Sequence, residues 1–392
     1  MSKSGTRAAH GSGTIRKKTV TRKGQTYTYW EARVTVGRDP GTGRQIQRSF
    51  TGQTQREVRE KMQAAAVAVN EGTYRDPVKL TVGEWLDIWV EEYLGSLKPA
   101  SVTVYKNNVK NHIKPAMAAV KLAKLQPHTV QRFINGLDGL SASSVRLAYK
   151  VLHQAMEKAV QLGYLPKNPA SGAELPRVDQ KEIKPLEDHQ AAALLAAAKG
   201  GMMEQLVTVA LFTGCRQSEL LGLTWDCVDF DRGTLTISKQ LTRPDHRAAG
   251  LFISPKNGKA RILTPAPSVL AALKERKRLQ AEARLKAGPT WEDGAGLVFT
   301  TETGAPLEQW RANQRFSSLV RKAGLEGVRF HDLRHTYAVN ALRAGDDIKS
   351  VQGNLGHATA AFTLDRYAHF TEQMKQASAD RMETFIKTAL SM

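Results

Sequence analysis

At 392 residues the chain has room for two or three domains with separate cores, and a hydrophobic fraction of 41% fits globular structure. A formal charge of +20 and a pI near 9.9 point to a polyanionic partner, nucleic acid ahead of an anionic membrane surface. No apolar run approaches the ~18 residues of a bilayer span, MSKSGTRAAHGSG lacks the apolar segment of a secretory signal, and Cys215 and Cys227 read as reduced core residues of a cytoplasmic protein.

Residues 1–13 are small and polar and read as a flexible tip. Strands follow: basic IRKK, then YTYWEARVTV, where Trp30, Ala32, Val34 and Val36 alternate with Glu31, Arg33 and Thr35. Asp39-Pro40-Gly41-Thr42-Gly43 is a turn signal, and RQIQRSF returns as a third strand. Thr54-Gln55-Arg56-Glu57 is a capping box before a helix with Val58, Met62, Ala65 and Val69 on one face. This first unit, residues 1–76, carries 15 lysines and arginines against 6 carboxylates. Arg16, Lys17, Lys18, Arg33, Arg44 and Arg48 lie on or beside its strands. They are either a solvated basic face or an accessory DNA-binding surface, since a three-stranded face fits a major groove; the second reading is preferred.

After the linker Tyr74-Arg75-Asp76-Pro77, Thr81-Val82-Gly83-Glu84 caps a helix whose Trp85, Leu86, Ile88, Trp89 and Tyr93 have the spacing of a core face. Lys98-Pro99 opens the helix SVTVYKNNVKNHI, in which Lys106, Lys110 and His112 are placed to meet a phosphate backbone. Two more helices are expected around 130–137 and 143–162, completing a helical bundle over 79–165. Pro166, Pro169, Gly172 and Pro176 mark an interdomain linker at 166–183.

The third unit, residues 184–392, begins with an alanine-rich helix and then MMEQLVTVALF, apolar enough to be buried all round. It runs into Thr213-Gly214-Cys215-Arg216-Gln217-Ser218-Glu219, where a glycine turn presents an arginine at a helix start. Arg216 is read two ways, as an ion pair with Glu219 or as half of a phosphate site. TLTIS is a strand, and LFIS and RIL are expected to form a hairpin about Pro255-Lys256-Asn257-Gly258-Lys259-Ala260. Residues 331–367 then gather His331, Arg334, His335, His357 and Tyr367, with His331 and Arg334 one helical turn apart. A cation that clamps oxygens, imidazoles that move or donate protons and a phenol that attacks make sense together on a phosphodiester. The tail places Met374, Met382, Phe385, Ile386 and Leu390 at helical spacing, for its own domain or for a neighbour.

In this order, Arg216, Lys256, His331, Arg334, His357 and Tyr367 closely resemble the tyrosine recombinase (integrase) family, in layout most like the integrases of conjugative transposons and temperate phages. The motifs TGCRQSELLGL, HDLRH and LGHATAAFTLDRYAH carry the resemblance. It implies a multidomain α+β chain: an arm-type DNA-binding domain with a three-stranded sheet and one helix, a helical core-binding domain, and a mainly helical catalytic domain with a small antiparallel sheet. It implies Tyr367 as nucleophile, giving a 3′-phosphotyrosyl link and a free 5′-hydroxyl. Arg216 and Arg334 would hold the non-bridging oxygens, and Lys256 would protonate the leaving oxygen, although the family's usual serine after this lysine is missing and Lys259 is a rival. His331 would be acid/base for the tyrosine, His357 would hydrogen-bond the phosphate, and Glu219 would orient Arg216.

No cofactor is required by that chemistry, because two arginines and a lysine take the electrostatic part that Mg²⁺ has in many nucleases. The implied partners are double-stranded DNA attachment sites, three further copies of the chain recruited on DNA through the C-terminal helix, and accessory DNA-bending or directionality proteins. The expected location is the cytoplasm, on the nucleoid. Strand exchange would pass through a four-way junction to integrate or excise a mobile element. Rival readings are a type IB topoisomerase-like enzyme, a non-catalytic DNA-binding protein, and a metallohydrolase on His331, Asp332 and His335, the last disfavoured by Arg334 in the same turn; His335 is read as structural.

Overall fold

The computed structural model describes residues 14–22, 25–38, 41–71, 79–179, 184–292, 295–367 and 371–391. The expected tip at 1–13, the linker residues 74–77 and the turn residues Asp39 and Pro40 lie outside these. Two compact units divide the chain, residues 1–179 and 180–392.

In the first unit, β1 (Thr14–Arg22), β2 (Gln25–Arg38) and β3 (Gln45–Gly52) form an antiparallel sheet with β2 in the middle. Alternation works as expected on one face: Ala32 and Val34 are buried where α1 (Gln55–Asn70) lays Val58 and Ala65 against the sheet. Thr54 caps α1 by accepting from the Glu57 amide at 3.2 Å. A register shift between Thr35 and Gly37 ends the alternation before Val36, which is only half-buried.

The same unit contains a helical bundle. The Thr81/Glu84 capping box opens α2 (Val82–Glu92), whose Trp85, Leu86 and Trp89 are buried with Ile113, Met117, Leu122, Leu152 and Met156. Trp85 donates its indole N–H to the Ala155 carbonyl at 3.0 Å, which removes the cost of burying that polar atom. The expected basic helix is α3 (Pro99–Asn108), which runs through a π turn at Val109–Ile113 into α4 (Lys114–Met117). It is followed by α5 (Pro127–Asn135) and α6 (Ala142–Gln161).

The second unit opens with α7 (Asp188–Ala198), α8 (Glu204–Thr213) and the short α9 (Gln217–Leu221). Seven of the ten residues of α8 are buried, because α7, α10 (Pro267–Ala287) and α12 (Phe330–Arg343) all pack on it, and only Phe212 is exposed. Between α9 and α10 lie β4 (Val228–Asp229), β5 (Thr234–Ile237), β6 (Gln240–Leu241), β7 (Phe252–Ile253) and β8 (Arg261–Leu263).

Here the expected hairpin is corrected. The strands on either side of the Lys256 loop do not pair with each other: β7 pairs with β6, and β8 with β5. The chain reverses earlier, through a 3₁₀ segment at Pro244–Ala249, and residues 254–260 bulge out of the returning strand opposite Ser238 and Lys239. The unit closes with α11 (Gln309–Lys322), α12, α13 (Ile348–Leu355), α14 (Ala360–Tyr367) and α15 (Thr371–Leu390). On α15, Met382, Phe385, Ile386 and Leu390 are exposed. Among the described residues no helix is long and apolar enough to cross a membrane.

Candidate active site

The centre of the site is a glycine turn. The buried helix α8 ends on Gly214 in left-handed conformation, φ 63°, and Arg216 follows as the N-cap of α9. The Arg216 amide donates to Glu219 Oε2 at 2.9 Å and its Nη1 to Oε1 at 2.8 Å. The ion-pair reading of Arg216 is met by these contacts, and they leave its guanidinium partly exposed. Glu219 is fully buried and has a second partner, Arg261 of β8, whose Nη2 donates to Oε2 at 2.7 Å and Nη1 to Oε1 at 3.1 Å. Burial pushes the Glu219 carboxyl up, but the Arg261 hydrogen bonds and charge, helped by Arg216, hold it down at about 2. Arg261 also donates to the Asn354 carbonyl at 2.8 Å.

Arg334, from α12, is buried and joins two chain reversals. Its Nη1 donates to the Gly214 carbonyl at 2.7 Å and its Nη2 to the Leu355 carbonyl at 2.6 Å. Burial, then the Arg216 charge, lower its pKa to about 10, which leaves it cationic at neutral pH. At the end of α13, Gly356 is again left-handed, φ 63°, and its carbonyl receives Arg216 Nη2 at 3.3 Å and Asn257 Nδ2 at 2.9 Å. Asn257 thus ties the Lys256 loop to the turn carrying His357, and a Pro255–Gly258 backbone hydrogen bond of 2.8 Å tightens that loop.

His357 Nδ1 and the buried hydroxyl of Thr363 on α14 are 2.9 Å apart. Burial, reinforced by Arg334 and Arg216, depresses its pKa to about 3, so it stands neutral beside the arginines and can offer an N–H without adding charge. His331 is open to solvent on one side; the protein on its other side, with Arg334, lowers its pKa too. Tyr367 closes α14 with only 1% of its surface exposed, and its Oη lies 2.8 Å from Nδ1 of His335. The His335 ring meets His331 edge to face at 4.9 Å. An open cavity of about 540 Å³ runs past Arg216, Asn313, Arg329 and His331.

Arg216, Arg334, His331 and His357 are thus brought together around the turns at 214 and 356, with the Lys256 loop tied to the second of them. Two participants, Asn257 and Arg261, lie outside every motif, and two more, Thr363 and His335, lie inside LGHATAAFTLDRYAH and HDLRH but carried no part in the chemistry read from the sequence. The metal-type reading of Asp332 meets a different environment, since its carboxylate accepts from the amide and guanidinium of Arg329 at 2.8 and 2.9 Å.

Of the basic candidates in the first unit, Arg16, Lys18 and Arg33 gather on the helix-free face of the sheet around Glu31, at 2.7, 3.7 and 3.9 Å. Glu31 is buried there, contrary to the solvent-facing place its alternation gave it, and the Arg16 hydrogen bond holds its carboxyl below the usual range. By register, Lys17 opposite Trp30 and Arg48 opposite Val34 share the face that carries α1. Arg44 precedes β3, and Lys106 and Lys110 are exposed on α3 and the π turn.

Gly214→Ala tests the central turn. An added Cβ would stand 2.3 Å from the Tyr337 ring and 2.7 Å from Leu355, at a φ that disfavours any side chain. The expected destabilisation is about 2–4 kcal/mol by urea unfolding, from strain and overpacking together. A loss under roughly 0.5 kcal/mol, the scatter of neutral surface changes, would show that the turn is not held as described.

Two family models match: "Phage integrase family" over residues 183–374, and "Phage integrase, N-terminal SAM-like domain" over 81–137. A "Tyrosine recombinase XerC-like" protein of Caldanaerobacter subterraneus is 29% identical, covering 90% of this chain and 95% of its own. Among solved structures, the Tn1549 transposon integrase (residues 82–397) with a circular intermediate DNA superposes with a TM-score of 0.65 at 21% identity, covering 77% of this chain and 99% of that one. A lambda integrase tetramer bound to a Holliday junction gives 0.56 at 18%, covering 86% and 92%. The mostly helical fold with its small antiparallel sheets is that of the integrases. The chain belongs to the tyrosine recombinase family and is of its integrase type, an enzyme class that cuts and rejoins DNA in site-specific recombination.

Proposed function

We propose that Tyr367 is the nucleophile of this recombinase, and that Arg216, Lys256, Arg334, His331 and His357 serve it at one phosphodiester. The observation that carries this reading is the double tie of Arg334, which holds the Arg216 turn and the His357 turn at the distance of two hydrogen bonds from one guanidinium. With those two carbonyls occupied, its remaining N–H groups and those of Arg216 form a cationic pair suited to the equatorial oxygens of a pentavalent phosphorus. Neutral His357, whose Nδ1 faces the Thr363 hydroxyl, donates from Nε2 to the same oxygens. Lys256 gives its proton to the departing 5′-oxygen, and the product is a 3′-phosphotyrosyl link that a 5′-hydroxyl of another strand can reverse.

By likeness to the integrases seen on DNA sites and on a junction, the chain acts on double-stranded attachment sites as a tetramer and exchanges strands through a four-way junction. The exposed apolar residues of α15 are the surface offered to a neighbouring copy, and Arg16, Lys18 and Arg33 are the part of the N-terminal sheet offered to an arm site. Residues 1–76, 79–165 and 184–392 then act as arm-binding, core-binding and catalytic domains. Integration or excision of a mobile element is the reaction, with DNA-bending or directionality proteins as accessory partners in the cell.

A nicked suicide duplex carrying the core site tests this. An SDS-resistant protein–DNA adduct is expected in EDTA and lost in Tyr367→Phe. An EDTA-sensitive cut without an adduct would contradict it, and relaxation of supercoils without strand exchange would favour a topoisomerase-like outcome.

A further inference from the structure

We propose that His335 is the catalytic residue that holds the Tyr367 hydroxyl and takes its proton when the oxygen attacks phosphorus. This rests on Tyr367 being the nucleophile. The contact is 2.8 Å between Tyr367 Oη and His335 Nδ1, within the range of a direct hydrogen bond, and the two rings lie at 60° with centroids 5.9 Å apart. His331, to which the resemblance gives the proton, stands one turn away on α12, edge to face with His335 rather than between it and the phenol.

The chemistry of the pair suits this placing of the proton. A phenol is a weak nucleophile until its proton leaves, and a neutral imidazole within hydrogen-bond reach is the common acceptor. For Nδ1 to accept, the ring proton resides on Nε2. In the cleavage step the Oη–P bond forms, the P–O5′ bond breaks, the phenolic proton passes to His335 Nδ1, and the 5′-oxygen gains a proton from Lys256. On rejoining, the P–O5′ bond forms and the Oη–P bond breaks, the attacking 5′-hydroxyl gives its proton back to Lys256, and His335 Nδ1 returns its proton to the departing Oη. Tyr367 is 1% exposed, so its hydroxyl has little access to bulk water and depends on a protein acceptor.

The full chain and a nicked suicide duplex provide the test, read as single-turnover adduct formation. His335→Ala should slow it by roughly 100-fold or more, the range of a lost general base, with DNA retention unchanged and partial recovery in added imidazole. His335→Asn places an amide oxygen near the Nδ1 position, able to hold the hydroxyl but not to take a proton, and should remain slow. A duplex with sulfur in place of the bridging 5′-oxygen leaves without a proton; it should relieve Lys256→Ala and leave the His335→Ala defect in place. In the folded parent chain with ¹⁵N-labelled histidine, Tyr367→Phe should shift the His335 Nδ1 resonance.

The proposal is overturned by a His335→Ala rate within about threefold of the parent, well short of a lost general base. Full activity of His335→Asn, relief of His335→Ala by the sulfur substrate, or an unmoved Nδ1 resonance would each do the same. An adduct that persists in Tyr367→Phe would instead overturn the assignment of the nucleophile itself.

Discussion

Glu219→Ala is expected to destabilise the chain by about 3–5 kcal/mol, the range for removing one partner of a buried ion pair. The carboxylate is buried between two arginines, and its loss leaves Arg261, at 11% side-chain exposure, and Arg216, at 20%, facing each other without a counter-charge. Urea unfolding at neutral pH measures the cost, and a change below about 1 kcal/mol would place Glu219 among the surface-type pairs. The pH dependence has a definite sign. A carboxyl lowered from 4.5 to about 2 in the folded state contributes its stability in full above pH 4.5 and loses it as pH falls toward 2. The difference corresponds to roughly 3 kcal/mol. The stability gap between parent and Glu219→Ala should therefore narrow once the pH drops below about 4.5; a gap that stays constant there would mean that Glu219 is not held ionised by its arginines.

Arg334→Lys is expected to slow adduct formation by roughly 10²–10³-fold, the usual effect of removing one preorganised donor at a developing oxyanion. Charge is conserved in this exchange, but an ammonium cannot reproduce a planar fork that reaches the Gly214 and Leu355 carbonyls at 2.7 and 2.6 Å. Arg334→Ala goes further, leaving both buried carbonyls without this donor, and should also lower the unfolding midpoint. Filter binding to the core duplex should change little in either variant. A drop in affinity that matched the drop in rate would make Arg334 a ground-state DNA contact instead.

The parts of this molecule that could be read in the sequence are those governed by local rules. Thr81 and Glu84 cap their own helix, Trp85 and Trp89 recur at helical spacing, and Thr54 begins α1, because each depends on neighbours within a turn or two. The same holds for the turn at Gly214-Cys215-Arg216, where a buried apolar helix must stop and the next residue is charged.

Long-range pairing carried no such mark. Residues 254–260 look like a hairpin tip between two short apolar runs, yet the strands beside them bond to β5 and β6, whose partners are set by register across a reversal at 242–251. Arg261 reads as one more strand residue, and only the fold puts it against Glu219, 42 positions earlier. His335, at i+4 from His331, reads as structural because nothing in the spacing shows that α14 returns Tyr367 to it. Glu31 follows the alternation into an expected solvent-facing place, but three basic side chains close over it.

The most direct measurement is to trap the adduct on a nicked duplex, digest protein and DNA, and identify the modified residue and the phosphate end by mass spectrometry. A 3′-phosphotyrosyl nucleotide on the peptide containing Tyr367, formed in EDTA, is the predicted result. A nucleotide linked through its 5′-phosphate, or carried by any residue other than Tyr367, would contradict it.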